Sequence, residues 1–196
     1  EKVFLVDDRG QPVSPITALA AFAALALKAN NGGTIAVPVN MPMIFEEIAS
    51  RYGGAVERTR VDLQALMATA SKGKVVLAGD GSGNLIFPQL HPGADGMFAL
   101  AKLIEFLIVE GTSLSQVIAE LPPYYVAERR VSCPWELKGT VMRLLNQQFK
   151  PPRSAQIDGT RIDLGNAEWV LVLPDPDEPV FRVFADREDA VVLHEH

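Results

Sequence analysis

The sequence predicts two layered folds in succession. One is an α/β domain on a mixed sheet over residues 1–121; the other is a small α+β domain, a helix on an antiparallel sheet, over residues 122–196. Three observations carry this. Up to Glu120, short β-branched runs alternate with helical segments, the order of a sheet covered by helices. Leu121-Pro122-Pro123 then interrupts that alternation, and beyond it the order becomes one strand, one helix and three strands parted by turn residues.

In chain order, Val3 to Asp7 reads as a buried strand closed by Asp8-Arg9-Gly10. Ser14-Pro15 starts a helix, serine as N-cap and proline at the first helical position, where its missing N–H costs nothing. The helix runs to about Lys28 and stops at Asn30-Asn31-Gly32-Gly33. Thr34 to Val39 is a strand, Met43 to Tyr52 a helix ending at Gly53-Gly54, and Ala55 to Val61 a strand. Asp62 caps a helix through Ala70, and Lys74 to Ala78 and Leu85 to Phe87 are strands. Asp95-Gly96 opens an apolar helix through Val109, which Gly111 ends, and Ser113 caps a short helix to Glu120. In the second domain Tyr124 to Val131 is a strand, Pro134 to Phe149 an amphipathic helix and Pro151-Pro152 a loop. The last strands are Arg161 to Leu164, Trp169 to Leu173 and Val180 to Asp186, with turns at Asp158-Gly159, Gly165-Asn166 and 174–179.

Composition narrows the function classes. Apolar residues at 48% and charged ones at 21% describe a globular protein, and a net charge of −6 offers no basic face for nucleic acid. The longest apolar run, Ala18 to Leu27, is too short to span a bilayer, so no membrane partner is expected and the expected compartment is the cytoplasm. A lone Cys133 rules out an internal disulfide and, with no histidine near it in sequence, reads as a packed apolar residue. No metal site is built on His91, His194 and His196, two of which sit at a ragged end. With no initiating methionine and a strand at residue three, the chain reads as a fragment of something longer.

Gly79-Asp80-Gly81-Ser82-Gly83-Asn84 stands between two apolar runs. Three glycines let the backbone turn tightly and approach a ligand closely, and Asp80, Ser82 and Asn84 supply an acceptor, a hydroxyl and an amide, a set suited to a polyol. The same residues serve equally as a plain hairpin turn.

Several pieces in order resemble the C-terminal half, the third and fourth domains, of the α-D-phosphohexomutases (phosphomannomutase/phosphoglucomutase). Gly79 to Asn84 stands where that family has a sugar-recognition loop, Gly-Glu-x-Ser-Gly-His, and Asp95-Gly96 opens the following helix as the family pattern does. Asp158-Gly159-Thr160-Arg161-Ile162, Trp169-Val170-Leu171-Val172 and Phe181-Arg182-Val183-Phe184 match the order of the fourth domain. The resemblance implies a sugar-binding role for Gly79, Asp80, Gly81, Ser82, Gly83 and Asn84. It places the family's phosphate loop at Leu173-Pro174-Asp175-Pro176-Asp177-Glu178-Pro179.

That second loop departs from the family. Leu173, Asp175 and Asp177 replace arginine, serine and threonine, leaving Pro174, Glu178 and Pro179. A phosphate needs cationic and N–H donors, whereas the new carboxylates only accept and Pro176 removes a donor. Asp175, Asp177, Glu178 and Arg182 therefore read as a degenerate phosphate loop, a solvated acidic turn. The family's Val-Gly-x-Lys segment falls near Val61-Asp62-Leu63-Gln64, without a lysine, and Arg58, Arg60 and Arg182 read as solvated strand-edge charges.

Mutase chemistry in the family needs a phosphoserine and magnesium from its other two domains. The resemblance thus implies no catalytic residue, no metal and no cofactor here, magnesium being expected only in those other domains. The expected partners are a hexose phosphate and upstream domains of the same parent. Three functions stand. The acidic loop favours the mutase-like region of a sugar-1-phosphate nucleotidyltransferase, such as a mannose-1-phosphate guanylyltransferase. The alternatives are part of an active phosphomannomutase/phosphoglucomutase, or a non-catalytic oligomerisation or interaction module forming a homo-oligomer.

Overall fold

All ten side chains from Ala18 to Leu27 are buried in the middle of α1 (Pro15–Ala29). Ser14 caps this helix, its hydroxyl accepting the Thr17 amide at 3.1 Å, with Pro15 in the first turn. A helix apolar all round has to be covered all round, and the other elements of the first unit do this. The computed structural model describes residues 1–149, 157–165 and 168–186, in two compact units, residues 1–123 and 124–196. The expectations for Pro151-Pro152, Asn166, His194 and His196 lie outside the described residues.

The N-terminal segment corrects the sequence expectation. Only β1 (Leu5–Val6) is strand, paired antiparallel with β2 (Pro12–Val13), which sequence reading missed. Phe4 and Val6 are exposed. This two-stranded ribbon stands outside the main sheet, with Leu5 and Val13 half-buried. Val3 alone is buried, its amide donating to the Gly83 carbonyl at 2.8 Å.

The sheet of the first unit contains β3 (Gly33–Pro38), β4 (Gly54–Thr59), β5 (Val75–Gly79) and β6 (Leu85–Ile86) in the order β4-β3-β5-β6. The first three are parallel, and β6 turns back against β5 with Ala78 opposite Ile86 and Gly79 opposite Leu85. Between them run α2 (Ile44–Arg51) and α3 (Leu63–Ala70), the latter capped by Asp62 on the Ala65 amide at 2.6 Å. Successive residues of a strand face opposite sides. Ala78 accordingly packs with Leu66 and Ala70 of α3, whereas a Cβ on Gly79 would meet Leu19 of α1. So α3 covers one face and α1 the other. Beside α1 lie α2, α4 (Gly96–Glu110), capped by Asp95, and α5 (Leu114–Ala119), closed by a Ser113–Gln116 capping box. Phe87, just past β6, stacks edge-on between Phe22 of α1 and Phe98 of α4.

The second unit is an antiparallel sheet, β7 (Ala127–Ser132), β8 (Thr160–Gly165), β9 (Glu168–Pro174) and β10 (Val180–Asp186), in the order β7-β10-β9-β8. Helix α6 (Trp135–Phe149) packs against β8. Trp169, Leu171 and Leu173 alternate as buried positions along β9, the period-two pattern of a strand with one covered face. Cys133 is buried, as a packed cysteine should be.

Candidate functional site

Parallel strands set where a ligand can sit. The chain leaves β3 for β4 through α2, then returns past β3 to β5 through α3 on the opposite face. The connections after β3 and β5 therefore diverge, and ligands of open α/β sheets bind beside such a point, at the carboxyl ends of the strands. Two segments meet there, 39–43 after β3 and Gly79 to Asn84 after β5. A Cβ on Gly81 would lie 2.5 Å from the Met41 sulfur, so glycine is what lets the two approach. Gly81 and Gly83 also take φ values of 69° and 102°, which other residues adopt only under strain.

Within the loop the polar side chains are joined to one another. Asp80 Oδ1 accepts the Ser82 amide at 2.8 Å and the Asn84 amide at 3.3 Å. Asp80 Oδ2 accepts the Ser82 hydroxyl at 2.8 Å and the Asn84 side-chain amide at 2.6 Å. One carboxylate thus organises the turn, holding Ser82 and Asn84 at fixed positions on its rim. The hairpin reading holds, because β5 and β6 pair on either side of the loop.

Around the neighbouring segment, sequence reading missed the part played by two residues, Arg58 of β4 and Asn40. Arg58 is no solvated charge: its side chain is 12% exposed. It grips Glu46 through Nε and Nη2, at 2.8 and 2.6 Å, and donates to the carbonyls of Pro38, Met41 and Pro42. The planar guanidinium fork can reach several carbonyls at once, which fixes the path of 38–43. Asn40, 8% exposed on that path, keeps its Oδ1 buried with no hydrogen-bond partner among the described residues. A buried polar atom without a partner is an unmet acceptor at the switch point. No pattern in the sequence marks either residue. Arg60 does remain at the surface, beside Asp62.

In the second unit Asp175, Asp177 and Glu178 form the turn between β9 and β10. Asp175 Oδ1 accepts the amides of Asp177 and Glu178, each at 2.9 Å. These contacts, Asp177 foremost, hold the Asp175 carboxyl below its usual range, with Arg182 and Arg130 adding to the effect. The Asp175 amide donates to the Val180 carbonyl and the Val180 amide to Glu178, so every N–H from Asp175 to Val180 has a partner in the turn, the two prolines having none. Underneath lies Lys138, buried, its ammonium donating to the carbonyls of Asp175 (2.6 Å) and Glu178 and resting 3.8 Å from the Trp135 ring centre. Arg130 pairs with Glu178, and Arg182 Nε donates to Glu128 at 2.7 Å. The two arginines thus have carboxylate partners of their own. Sequence reading missed Lys138; its spacing of three from Trp135 on one helix face is the only signal.

Residues 15–125 match the family described as phosphoglucomutase/phosphomannomutase, alpha/beta/alpha domain III. The chain belongs to that family. It is 34% identical over 191 residues to a Methanopyrus kandleri protein named "Probable phosphoglucosamine mutase", covering 96% of this chain and 42% of the relative. A Thermococcus kodakarensis protein named phosphopentomutase is 29% identical over 192 residues, 95% of this chain and 42% of the relative. The chain therefore spans less than half the length of these curated relatives. The fold matches that of a phosphoglucomutase/phosphomannomutase family protein from Burkholderia thailandensis, with a TM-score of 0.76 at 21% identity over 98% of this chain and 41% of that one.

Among the described residues of this phosphohexomutase-family chain, no group of three or more His, Cys, Asp or Glu is placed to hold a metal ion. No described helix is long and apolar enough to cross a membrane.

Proposed function

We propose that this chain is a sugar-recognition region of a phosphohexomutase-family protein, meeting the hydroxyls of a hexose phosphate at Gly79 to Asn84 without clamping a phosphate at 173–179. The observation that carries this is the Asp175 carboxylate, which takes the amides of Asp177 and Glu178 that an incoming anion would need. The orphaned Asn40 Oδ1 beside the sugar loop supports the first half of the proposal. Any phosphoserine and magnesium of the whole protein would come from residues outside this sequence.

The parent protein we favour is a sugar-1-phosphate nucleotidyltransferase carrying a mutase-like region, because the self-satisfied acidic turn suits a region released from phosphoryl transfer. The relatives lend that parent no support: they bear mutase names. Those names favour the second reading, part of an active phosphohexomutase. A nucleotidyltransferase motif or a phosphoserine loop elsewhere in the gene separates the two.

The test is an NMR titration of the chain with glucose 6-phosphate, glucosamine 6-phosphate and mannose 1-phosphate. Amide shifts at 79–84 with affinity weaker than about 1 mM are expected, with none at Asp177 or Glu178. Micromolar binding that moves the Asp177 and Glu178 amides overturns the proposal.

A further inference from the structure

Both oxygens of Asp80 are spent inside the 79–84 loop. Oδ1 accepts the amides of Ser82 and Asn84 at 2.8 and 3.3 Å, and Oδ2 accepts the Ser82 hydroxyl at 2.8 Å and the Asn84 side-chain amide at 2.6 Å. A carboxylate offers about four lone-pair positions, so Asp80 has none left for a ligand. Its short side chain keeps it there, bonded to its own backbone two residues on, as aspartate does in turns. The side-chain donors are spent too. Ser82 gives its hydroxyl hydrogen to Asp80, and Asn84 gives its amide hydrogens to Asp80 and, at 3.4 Å, to Ser82 Oγ. What remains is a lone pair on Ser82 Oγ and the whole of Asn84 Oδ1. The latter has no partner among the described residues and, unlike Asn40 Oδ1, is not sealed from solvent. The backbone holds both atoms in place: the Val3 amide donates to the Gly83 carbonyl at 2.8 Å, and the Asp80 amide to the Asn84 carbonyl at 3.4 Å.

We propose, on the sugar-recognition reading of 79–84, that Asp80 is a positioning residue and that Ser82 Oγ and Asn84 Oδ1 read the ligand as acceptors of hydrogen bonds donated by its hydroxyls. The side chains of the loop then select for O–H groups rather than for oxygen atoms. A fluorine in place of a hydroxyl is close to it in size but carries no hydrogen to give. Asp80 governs this selection at one remove. With an amide at position 80, a donor faces Asn84 Nδ2. The Asn84 amide then turns over, and shows the ligand hydrogens where it had shown an oxygen. An acid at position 84 as well cures the mismatch: one of its oxygens accepts the new amide, and the other faces outward.

The experiment is an NMR titration of the 196-residue chain with glucose 6-phosphate and with its monodeoxyfluoro analogues, followed at the amides of 79–84. At least one analogue is expected to bind wild type about three- to tenfold more weakly than glucose 6-phosphate, the share of one neutral hydrogen bond. Asp80→Asn is expected to bind glucose 6-phosphate about tenfold more weakly and to lose the preference for the O–H. Asp80→Asn combined with Asn84→Asp is expected to return to within about threefold of wild type and to regain that preference. A direct contact at Asp80 predicts instead that the combined variant, folded by its amide spectrum, stays as weak as the single one; that result overturns the proposal. Asp80→Asn binding as wild type overturns it too. Analogues that all bind wild type as tightly as glucose 6-phosphate overturn it whether or not the variants fold. In each of these cases glucose 6-phosphate still moves the 79–84 amides of wild type, and the sugar-recognition reading stands. A wild type whose 79–84 amides no sugar phosphate moves overturns the reading and the proposal together.

Discussion

Arg58 and Glu46 meet through both prongs of the guanidinium, Nε 2.8 Å from Oε1 and Nη2 2.6 Å from Oε2, while the same group holds three carbonyls of residues 38–42. A strand residue and a helix residue thus together set the segment that faces the 79–84 loop. Removing the guanidinium strands a half-buried carboxylate and three carbonyls. Arg58→Ala is expected to cost about 2–3 kcal/mol in urea unfolding, below a fully buried pair because Glu46 is partly solvated. Arg58→Lys recovers only part, since an ammonium cannot span the fork. Full stability in Arg58→Lys would show that charge alone matters.

Gly79→Ala tests the packing of the 79–84 loop on α1. The added Cβ would lie 2.3 Å from Leu19 Cδ1 and 3.2 Å from the Asn84 carbonyl oxygen, and Leu19 is fully buried. Overpacking of this kind costs about 1–3 kcal/mol. Combined with Leu19→Ala, which empties the clashing space, the penalty for alanine at 79 is expected to shrink, so the double variant is more stable than the two single losses predict. Strict additivity would place the strain elsewhere.

Local signals carried most of the fold. Ser14, Asp62, Asp95 and Ser113 are each a short polar residue before an apolar helix, and each caps that helix, because capping chemistry is contained within four residues. The run from Ala18 to Leu27 announced its burial by having no polar face. What stayed hidden depends on partners distant in sequence. Pro12–Val13 becomes a strand only through Leu5–Val6, and Lys138 reaches Asp175 and Glu178 across some forty residues. Arg58 reads as a surface charge until Glu46 and the 38–42 carbonyls close round it. In the 79–84 loop the residue types were legible, whereas the cross-bonding of Asp80 to Ser82 and Asn84 emerges only from the turn geometry.

Lys138→Met keeps the side chain's length and removes its ammonium from beneath the acidic turn. The carbonyls of Asp175 and Glu178 lose that donor while staying shielded, a loss of about 1–3 kcal/mol. Hydrogen exchange is the sharper readout, with faster exchange expected at Asp177, Glu178 and Val180 than in the core of β9. Uniform acceleration across the unit would mean that Lys138 serves global stability alone.

Asp175 gives the acidic turn a pH dependence of known sign. Its carboxyl is held below 3.8, chiefly by the Asp177 amide, so on acidification the unfolded chain takes up this proton first. The stability it contributes is therefore complete above the unfolded value and is lost as pH falls through the folded one. Asp175→Asn keeps an oxygen for both amides but carries no charge. The wild type is expected to exceed this variant in urea midpoint by a constant margin from about pH 7 to 5, and the margin to close below about pH 4. Asp8 and Asp95 are lowered in the same direction by the amides of Ser115 and Phe98, but both proteins share them, so the difference isolates Asp175. A margin that widens in acid would reverse the sign and mean that the charge at 175 opposes the fold.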